Sequence, residues 1–399
     1  MKARLINIIS ALGNFFFYFN KKSMPPANVK KIMIMSLYFR GDVLFCTASI
    51  RMLKRIYPDA EIDVLVKSRS AEILEGNPDV NRLIVFNDIK TADYNDCDEI
   101  RAKEKLLLIK NIRNESYDLC IDLTGKYSTA LIALFGGFKY SFGLNYNGFG
   151  FCYSKFIDSN TQNTKGHLAD KYLNAVKEGL NINDNKWTEL TDDLYGKCFI
   201  NISDRELNDA EKVLDSLNID PDRPLICIQT TAGWRAKEWD EKNYSALLEN
   251  FRLSGYSYIL IGSHKDKEKN HRILDELPGE QRKYFLSLPL KINAAVISLS
   301  DLFIGSDSVG LHLAGAVNTP SIGLFGPTNP SFSNPPGDIH RIIYKQLDCS
   351  AADNSQYCTR DAGKSCMTLD CLKNIDAAEV MKNAEFLLNK SFQRKGVTA

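Results

Sequence analysis

Short apolar runs alternate with longer stretches of helical period along this chain. Lys31–Leu37 reads as a strand buried on both faces; the loop Tyr38-Phe39-Arg40-Gly41 and a helix from Asp42 to about Tyr57 follow, and Pro58-Asp59 ends that helix. Glu61–Val66 and Leu83–Phe86 are the next strands, with a helix through Ala71–Gly76 between them. Leu106–Asn114 predicts a helix and Tyr117–Leu123 a strand. The second half repeats the logic with strand Leu225–Gln229, helix Asn243–Ser254, strand Tyr256–Ile261 and helix Ala294–Ser300. Strands at Leu302–Ile304 and Ser321–Phe325 then flank a helix-like run, and Ile375–Leu388 closes the chain with a helical period. Alternation of this kind means right-handed βαβ units and parallel sheets. The expected class is α/β, with two Rossmann-like, doubly wound domains facing across a cleft lined by strand ends from both.

The expected boundaries follow composition. Residues 1–28 form an N-terminal apolar and basic segment, 29–180 the first domain and 181–224 a polar linker. Residues 225–348 form the second domain, 349–372 a cysteine-bearing segment and 373–399 a C-terminal helix and tail.

Charge is balanced overall, with 50 Lys+Arg against 49 Asp+Glu, which argues against bulk nucleic-acid binding. The first 50 residues differ, carrying seven basic residues and only Asp42 as an acid. Leu5–Phe19 is apolar but interrupted by Asn7, Ser10, Gly13 and Asn14, too short and broken for the roughly 20 apolar residues that span a bilayer. It reads either as an amphipathic helix lying on a membrane surface or as a helix packed on the protein body. A cytoplasmic protein, peripheral on the inner face of the cytoplasmic membrane, is the matching expectation.

Of the ten cysteines, Cys120 and Cys227 sit in apolar strands, as small buried residues of a reducing compartment. Cys349, Cys358, Cys366 and Cys371 instead share a polar segment with the spacing C-x8-C-x7-C-x4-C. Paired C-x2–4-C elements, the mark of a zinc knuckle, are missing, so unlinked thiols are the plainer reading beside a structural metal or redox staple. Two further motifs are decoys. Gly363-Lys364-Ser365 lacks the glycine that opens a phosphate-binding P-loop, and Asp96-Cys97-Asp98 lies in a polar run rather than at a strand end.

Residues 305–329 carry the most information: a strand enters Gly305-Ser306-Asp307-Ser308, a helix-like run holds His312, and a second strand ends in Gly326-Pro327-Thr328. A helix N-terminus beside the carboxyl ends of parallel strands favours a diphosphate. Together with Arg40-Gly41-Asp42-Val43-Leu44, Tyr117-Asp118-Leu119-Cys120-Ile121-Asp122-Leu123 and Thr230-Thr231-Ala232-Gly233-Trp234-Arg235-Ala236-Lys237-Glu238-Trp239, this segment resembles glycosyltransferase family 9, the heptosyltransferases of lipopolysaccharide-core assembly. The resemblance runs from about residue 30 to 385 and implies the two-domain GT-B fold.

It also implies roles. Asp42 matches the base that removes the acceptor hydroxyl proton in an inverting single displacement; the plainer reading is a helix cap. Thr230, Thr231 and Lys237 match the donor-phosphate loop, and neutralisation of the leaving group there requires no divalent metal or other cofactor. Asp307, Ser308, Val309, Gly310 and His312 match the sugar- and phosphate-binding run. Val309 stands where the family has glycine, which limits backbone approach and bears on the donor's pose and identity. Arg40 and Lys126 suit an anionic acceptor, whereas Arg51, Lys54 and Arg55 read as a solvated helix face. The implied partners are a nucleotide sugar, with ADP-heptose expected, and a glycolipid or oligosaccharide acceptor. Another nucleotide-sugar donor, a nucleotide-sugar epimerase of the same architecture and a non-catalytic binder are the rivals.

Overall fold

The structure, a computed structural model, describes residues 24–26, 28–86, 102–145, 148–158, 166–191 and 193–395. The apolar N-terminal segment and Asp96-Cys97-Asp98 therefore lie outside the described residues. Two compact units form, one from the chain up to Thr164 with Leu168–Tyr195, the other from Lys165–His167 with Gly196 onward.

In the first unit six strands, β1 (Lys31–Ser36), β2 (Glu61–Lys67), β3 (Arg82–Phe86), β4 (Leu119–Asp122), β5 (Tyr140–Leu144) and β6 (Lys155–Ile157), make one sheet. Their order is β3-β2-β1-β4-β5-β6, and every pair is parallel. The central strands are buried along almost their whole length, which is why they read as unbroken apolar runs rather than alternating ones. The helix expected from Asp42 begins at Arg40 and is broken at Cys46, giving Arg40–Phe45 and Thr47–Ile56. The Thr47 hydroxyl donates to the Leu44 carbonyl at 2.6 Å across that break. The helix expected at Ala71–Gly76 is instead Ser68–Ala71 followed by tight turns that Gly76 closes with a left-handed backbone.

The second unit repeats the plan with β7 (Leu225–Gln229), β8 (Ser257–Ile261), β9 (Phe285–Leu286), β10 (Leu302–Ser306), β11 (Ser321–Phe325) and β12 (His340–Tyr344), ordered β12-β11-β10-β7-β8-β9 and parallel throughout. Each sheet thus has its topological switch between two central strands, β1 and β4 or β7 and β10. Ligands of doubly wound sheets bind beyond the carboxyl ends at such points.

The segment 181–224, expected as a linker, holds two helices. Asp184–Thr191 belongs to the first unit and buries Trp187, while Asp204–Ser216, closed by a reciprocal Ser203–Glu206 cap, belongs to the second. Their polar surfaces hid them: Asp204–Ser216 buries only Ala210 fully. Nor is the end of the chain a separate part. Leu372, Ile375, Val380, Ala384, Leu387 and Leu388 share one core with Ile226, Trp239 and Leu302.

Candidate active site

In the first unit, β1 ends in Ser36 and the chain turns through Tyr38 and Phe39 into the helix Arg40–Phe45. The loop is held from β4's end. Thr124 accepts the Leu37 N–H at 2.8 Å on its hydroxyl and the Tyr38 hydroxyl at 2.8 Å on its carbonyl. Asp122 fixes Thr124 in turn, accepting the backbone N–H groups of Thr124 and Gly125 at 2.8 and 3.0 Å and the Tyr153 hydroxyl at 2.7 Å. Burial raises the Asp122 carboxyl, and these hydrogen bonds only partly offset the rise.

Asp42 is half-buried in the first turn of this helix. The cap position belongs to Phe39, so Asp42 is not the N-cap; its carboxylate does favour the helix dipole. Arg40 is exposed and donates through Nε to the Arg69 carbonyl at 2.9 Å, while the Arg69 guanidinium lies 4.9 Å from the Phe39 ring centroid. Lys126 caps the helix Tyr127–Phe135, its ammonium 5.3 Å from the Tyr38 ring centroid. Asp42, Arg40 and Lys126 thus gather around one loop at the sheet's switch point. Arg51, Lys54 and Arg55 turn instead to Asp79, the Ala60 carbonyl and Asp193.

In the second unit the loops after β7 and β10 are locked together. Lys237 Nζ lies 2.6 Å from Asp307 Oδ2 and 3.0 Å from the Asp307 carbonyl, and 4.1 Å from the Trp234 ring centroid. Ser333 donates to Asp307 Oδ1 at 2.8 Å, and His312 Nε2 stands 3.7 Å from the same oxygen. Lys237 and Asp307 are both nearly buried. Burial alone would raise the Asp307 carboxyl, but the charges of Lys237 and His312 and the hydrogen bonds of Lys237 and Ser333 hold it well below the carboxylate range. Burial pulls His312 down to about 4, aided by Lys237 and opposed by Asp307. His167 falls to about 4 by burial and the proximity of His312. Both imidazoles are therefore neutral near pH 7.

A second lock lies beside the first. Gln229 Oε1, at the end of β7, accepts the Ser308 hydroxyl at 2.9 Å and the Gly310 N–H at 3.2 Å. Glu238 accepts the Ala232 N–H at 3.2 Å and pairs with Lys269 at 2.9 Å.

The family model for glycosyltransferase family 9 (heptosyltransferase) matches residues 106–360. The chain belongs to glycosyltransferase family 9. It is 30% identical to lipopolysaccharide heptosyltransferase 3 of Escherichia coli over 309 residues, covering 74% of this chain and 84% of that relative. Among solved structures, the family 9 glycosyl transferase of Veillonella parvula aligns with a TM-score of 0.77 at 20% identity, covering 92% of this chain and all of that one. Escherichia coli ADP-heptose lps heptosyltransferase II aligns at 0.71 and 22%, covering 90% and 99%. The fold is accordingly the GT-B fold expected from the sequence.

Within this family 9 chain several expected donor residues are placed differently from the reading above. Thr230 is fully buried and its hydroxyl donates to Asn270 Oδ1 at 2.8 Å, so its proton is not offered to a phosphate. The first partners of both Asp307 oxygens are protein groups, which makes it the anchor of Lys237 rather than an open sugar contact. The Gly310 N–H is taken by Gln229 and is not part of an open anion cradle. Val309 opens the helix Val309–Ala316 and has no left-handed backbone, so its branched side chain is unstrained. The close approach comes one residue later, where a Cβ on Gly310 would stand 2.2 Å from Gln229 Oε1 and 2.8 Å from the Phe303 ring, so both would have to shift. Sequence reasoning missed Gln229, Ser333 and His167. A polar residue closing the apolar run Leu225–Gln229 was the available signal for the first. The other two come from distant loops and carried none.

Proposed function

We propose that this protein transfers a heptose from ADP-heptose to a hydroxyl of a lipopolysaccharide-core or related glycan, with inversion and without a divalent metal. The observation that carries the reading is the buried Lys237–Asp307 pair at the β7–β10 switch point, 2.6 Å between Nζ and Oδ2. An ammonium fixed there is preorganised for the charge that develops on a departing diphosphate. Asp307 takes two of the three ammonium donors, and we assign the third to a phosphate oxygen. The Thr231 hydroxyl donates beside it.

Asp42 is the base. As the acceptor oxygen bonds to the anomeric carbon and the bond to the diphosphate oxygen breaks, its carboxylate takes the hydroxyl proton. Its place in the first turn of a helix after β1, with Arg40 and Lys126 around the same loop, supports this role and an acceptor bearing phosphates or carboxylates. The heptosyltransferase relatives support the donor and the lipopolysaccharide acceptor. Action at the inner face of the cytoplasmic membrane follows from such an acceptor; among the described residues no helix is long and apolar enough to cross a membrane.

Incubation with labelled ADP-heptose and a truncated lipopolysaccharide tests the reading. Acceptor-dependent transfer with inverted product supports it. Turnover of the donor without acceptor would mark an epimerase, and binding without turnover a silent relative. Val309 keeps a different nucleotide-sugar donor as the second reading, which a panel of nucleotide sugars screened by thermal shift decides.

A further inference from the structure

The cysteine-bearing strap after β12 has no part in the chemistry above, yet it lies against the donor loops. Residues 345–369 contain no regular helix or strand, and Ala362 is the one buried apolar side chain there. A structureless stretch of that length inside a compact unit needs something other than a hydrophobic core to hold it. Asp361, Ala362 and Leu369 are also held in left-handed backbone, an unfavourable state for residues with a Cβ.

All four cysteines of the strap converge on one place. Cys349, Cys358, Cys366 and Cys371 line, with Gly326 and Pro327, a cavity of about 10 Å³, room for roughly one water-sized sphere. None is in a disulfide. Cys366 Sγ accepts the backbone N–H of Leu369 at 3.4 Å, an arrangement that stabilises charge on sulfur, and Arg360 borders the same cavity. Four thiols from one chain around an ion-sized space is the donor set of a soft or borderline divalent metal with tetrahedral preference.

We propose that Cys349, Cys358, Cys366 and Cys371 bind one Zn²⁺ or Fe²⁺ ion as a four-thiolate site that pins the strap to the donor loops. Among the described residues no three donors already stand in coordination geometry, so binding draws the thiols inward and orders the strap, the usual coupling of metal binding to folding. Each thiol releases its proton to solvent, the ion gives up water ligands, and no oxidant takes part. The site is structural and acts through contacts already made. Trp234 Nε1 donates to the Ala362 carbonyl at 3.1 Å, and the Trp234 and Tyr357 ring centroids stand 6.3 Å apart. Cys358 N donates to the Pro327 carbonyl at 2.8 Å, and Asn329 Nδ2 donates to the Ala352 and Ser355 carbonyls at 3.1 Å. Trp234 is the ring against which Lys237 rests, so the metal is a positioning element for that ammonium.

The test uses the full chain purified without chelator under reducing conditions. Elemental analysis should find about one Zn or Fe per chain, with Cys358→Ser and Cys371→Ser each losing most of it. Cobalt added to the metal-stripped wild-type protein should give thiolate-to-cobalt absorption, and the four thiols should react with a thiol reagent only after the metal is removed. Stripping should raise the donor KM by roughly tenfold with kcat little changed. Metal-free protein that gives no cobalt absorption, or mass spectrometry showing these cysteines paired as disulfides, overturns the site. Unchanged donor KM after stripping overturns its positioning role.

Discussion

The two units have the same strand order and put the residues proposed for chemistry at the same topological point, yet they hold them differently. Around the first switch point Asp42 and Lys126 are half-buried and Arg40 is exposed. Around the second, Asp307 and His312 are buried and the Lys237 side chain nearly so, and the three are linked to one another, to Ser333 and to Trp234. The contrast matches two demands. A leaving diphosphate is stabilised by charge already fixed in a dry site, whereas a base must stay reachable by a bulky saccharide hydroxyl.

The sharpest way to break this comparison is Asp42→Asn. Turnover should fall about 10²–10⁴-fold, the scale of a general base. Donor affinity by calorimetry and stability by urea denaturation should hardly change, since the residue is half-buried at a loop end. Full activity would remove Asp42 from the mechanism and leave the first unit without a chemical role.

Lys237→Ala should do what Asp42→Asn does not. It strands the buried Asp307 carboxylate, a loss of about 3–5 kcal/mol for a broken buried pair, visible in the urea midpoint, and it removes donor binding as well. The double variant Lys237→Ala/Asp307→Asn should regain part of the stability without regaining the donor. Recovery of both would show that Lys237 serves the fold alone.

Acid distinguishes the units again, because all five histidines of the chain fall in the second. His167 and His312 are neutral when folded, with values near 4 against about 6.5 when unfolded. The unfolded chain therefore binds more protons between pH 6.5 and 4, so stability is full above pH 6.5 and declines as pH falls toward 4. Each imidazole contributes at most about 3 kcal/mol, and the two are coupled and do not add. Asp307, depressed by its partners, continues the decline below the ordinary carboxylate range. Denaturation profiles at pH 7.5 and 4.5 should show the second unit weakening first, and His312→Gln should flatten that slope.

The legible parts of this molecule were those that a local pattern specifies. Central strands such as Leu225–Gln229 and Ser321–Phe325 are buried on both faces and end where their apolar runs end. Tyr140–Leu144, Lys155–Ile157 and His340–Tyr344 went unread because they are short, lie toward the sheet edges or carry polar residues. The same limit governed the site. Asp42, Lys237, Asp307 and His312 stand in the loops or first helical turns that follow identifiable strands, so their positions were readable. Their partners were not: Ser333 reaches Asp307 from 26 residues away, and Gln229 reaches Gly310 from 81. Long-range pairing of this kind leaves no periodic trace in the sequence.

The smallest expected effect concerns the rim of the first unit. Arg40 donates to the Arg69 carbonyl and Lys126 lies 5.3 Å from the Tyr38 ring centroid, both at the rim of the Asp42 loop. Solvent-reachable charges at a rim act on an anionic ligand through screened attraction, about 0.2–1 kcal/mol each. Arg40→Ala and Lys126→Ala should therefore each raise the acceptor KM by no more than about fivefold, with kcat and donor affinity unchanged. Because screening acts over about 10 Å at 0.1 M salt, the difference between wild type and variants should shrink as salt rises. A neutral saccharide acceptor would show no dependence on either residue, and the loop around Asp42 would then owe its basic side chains to the fold rather than to the substrate.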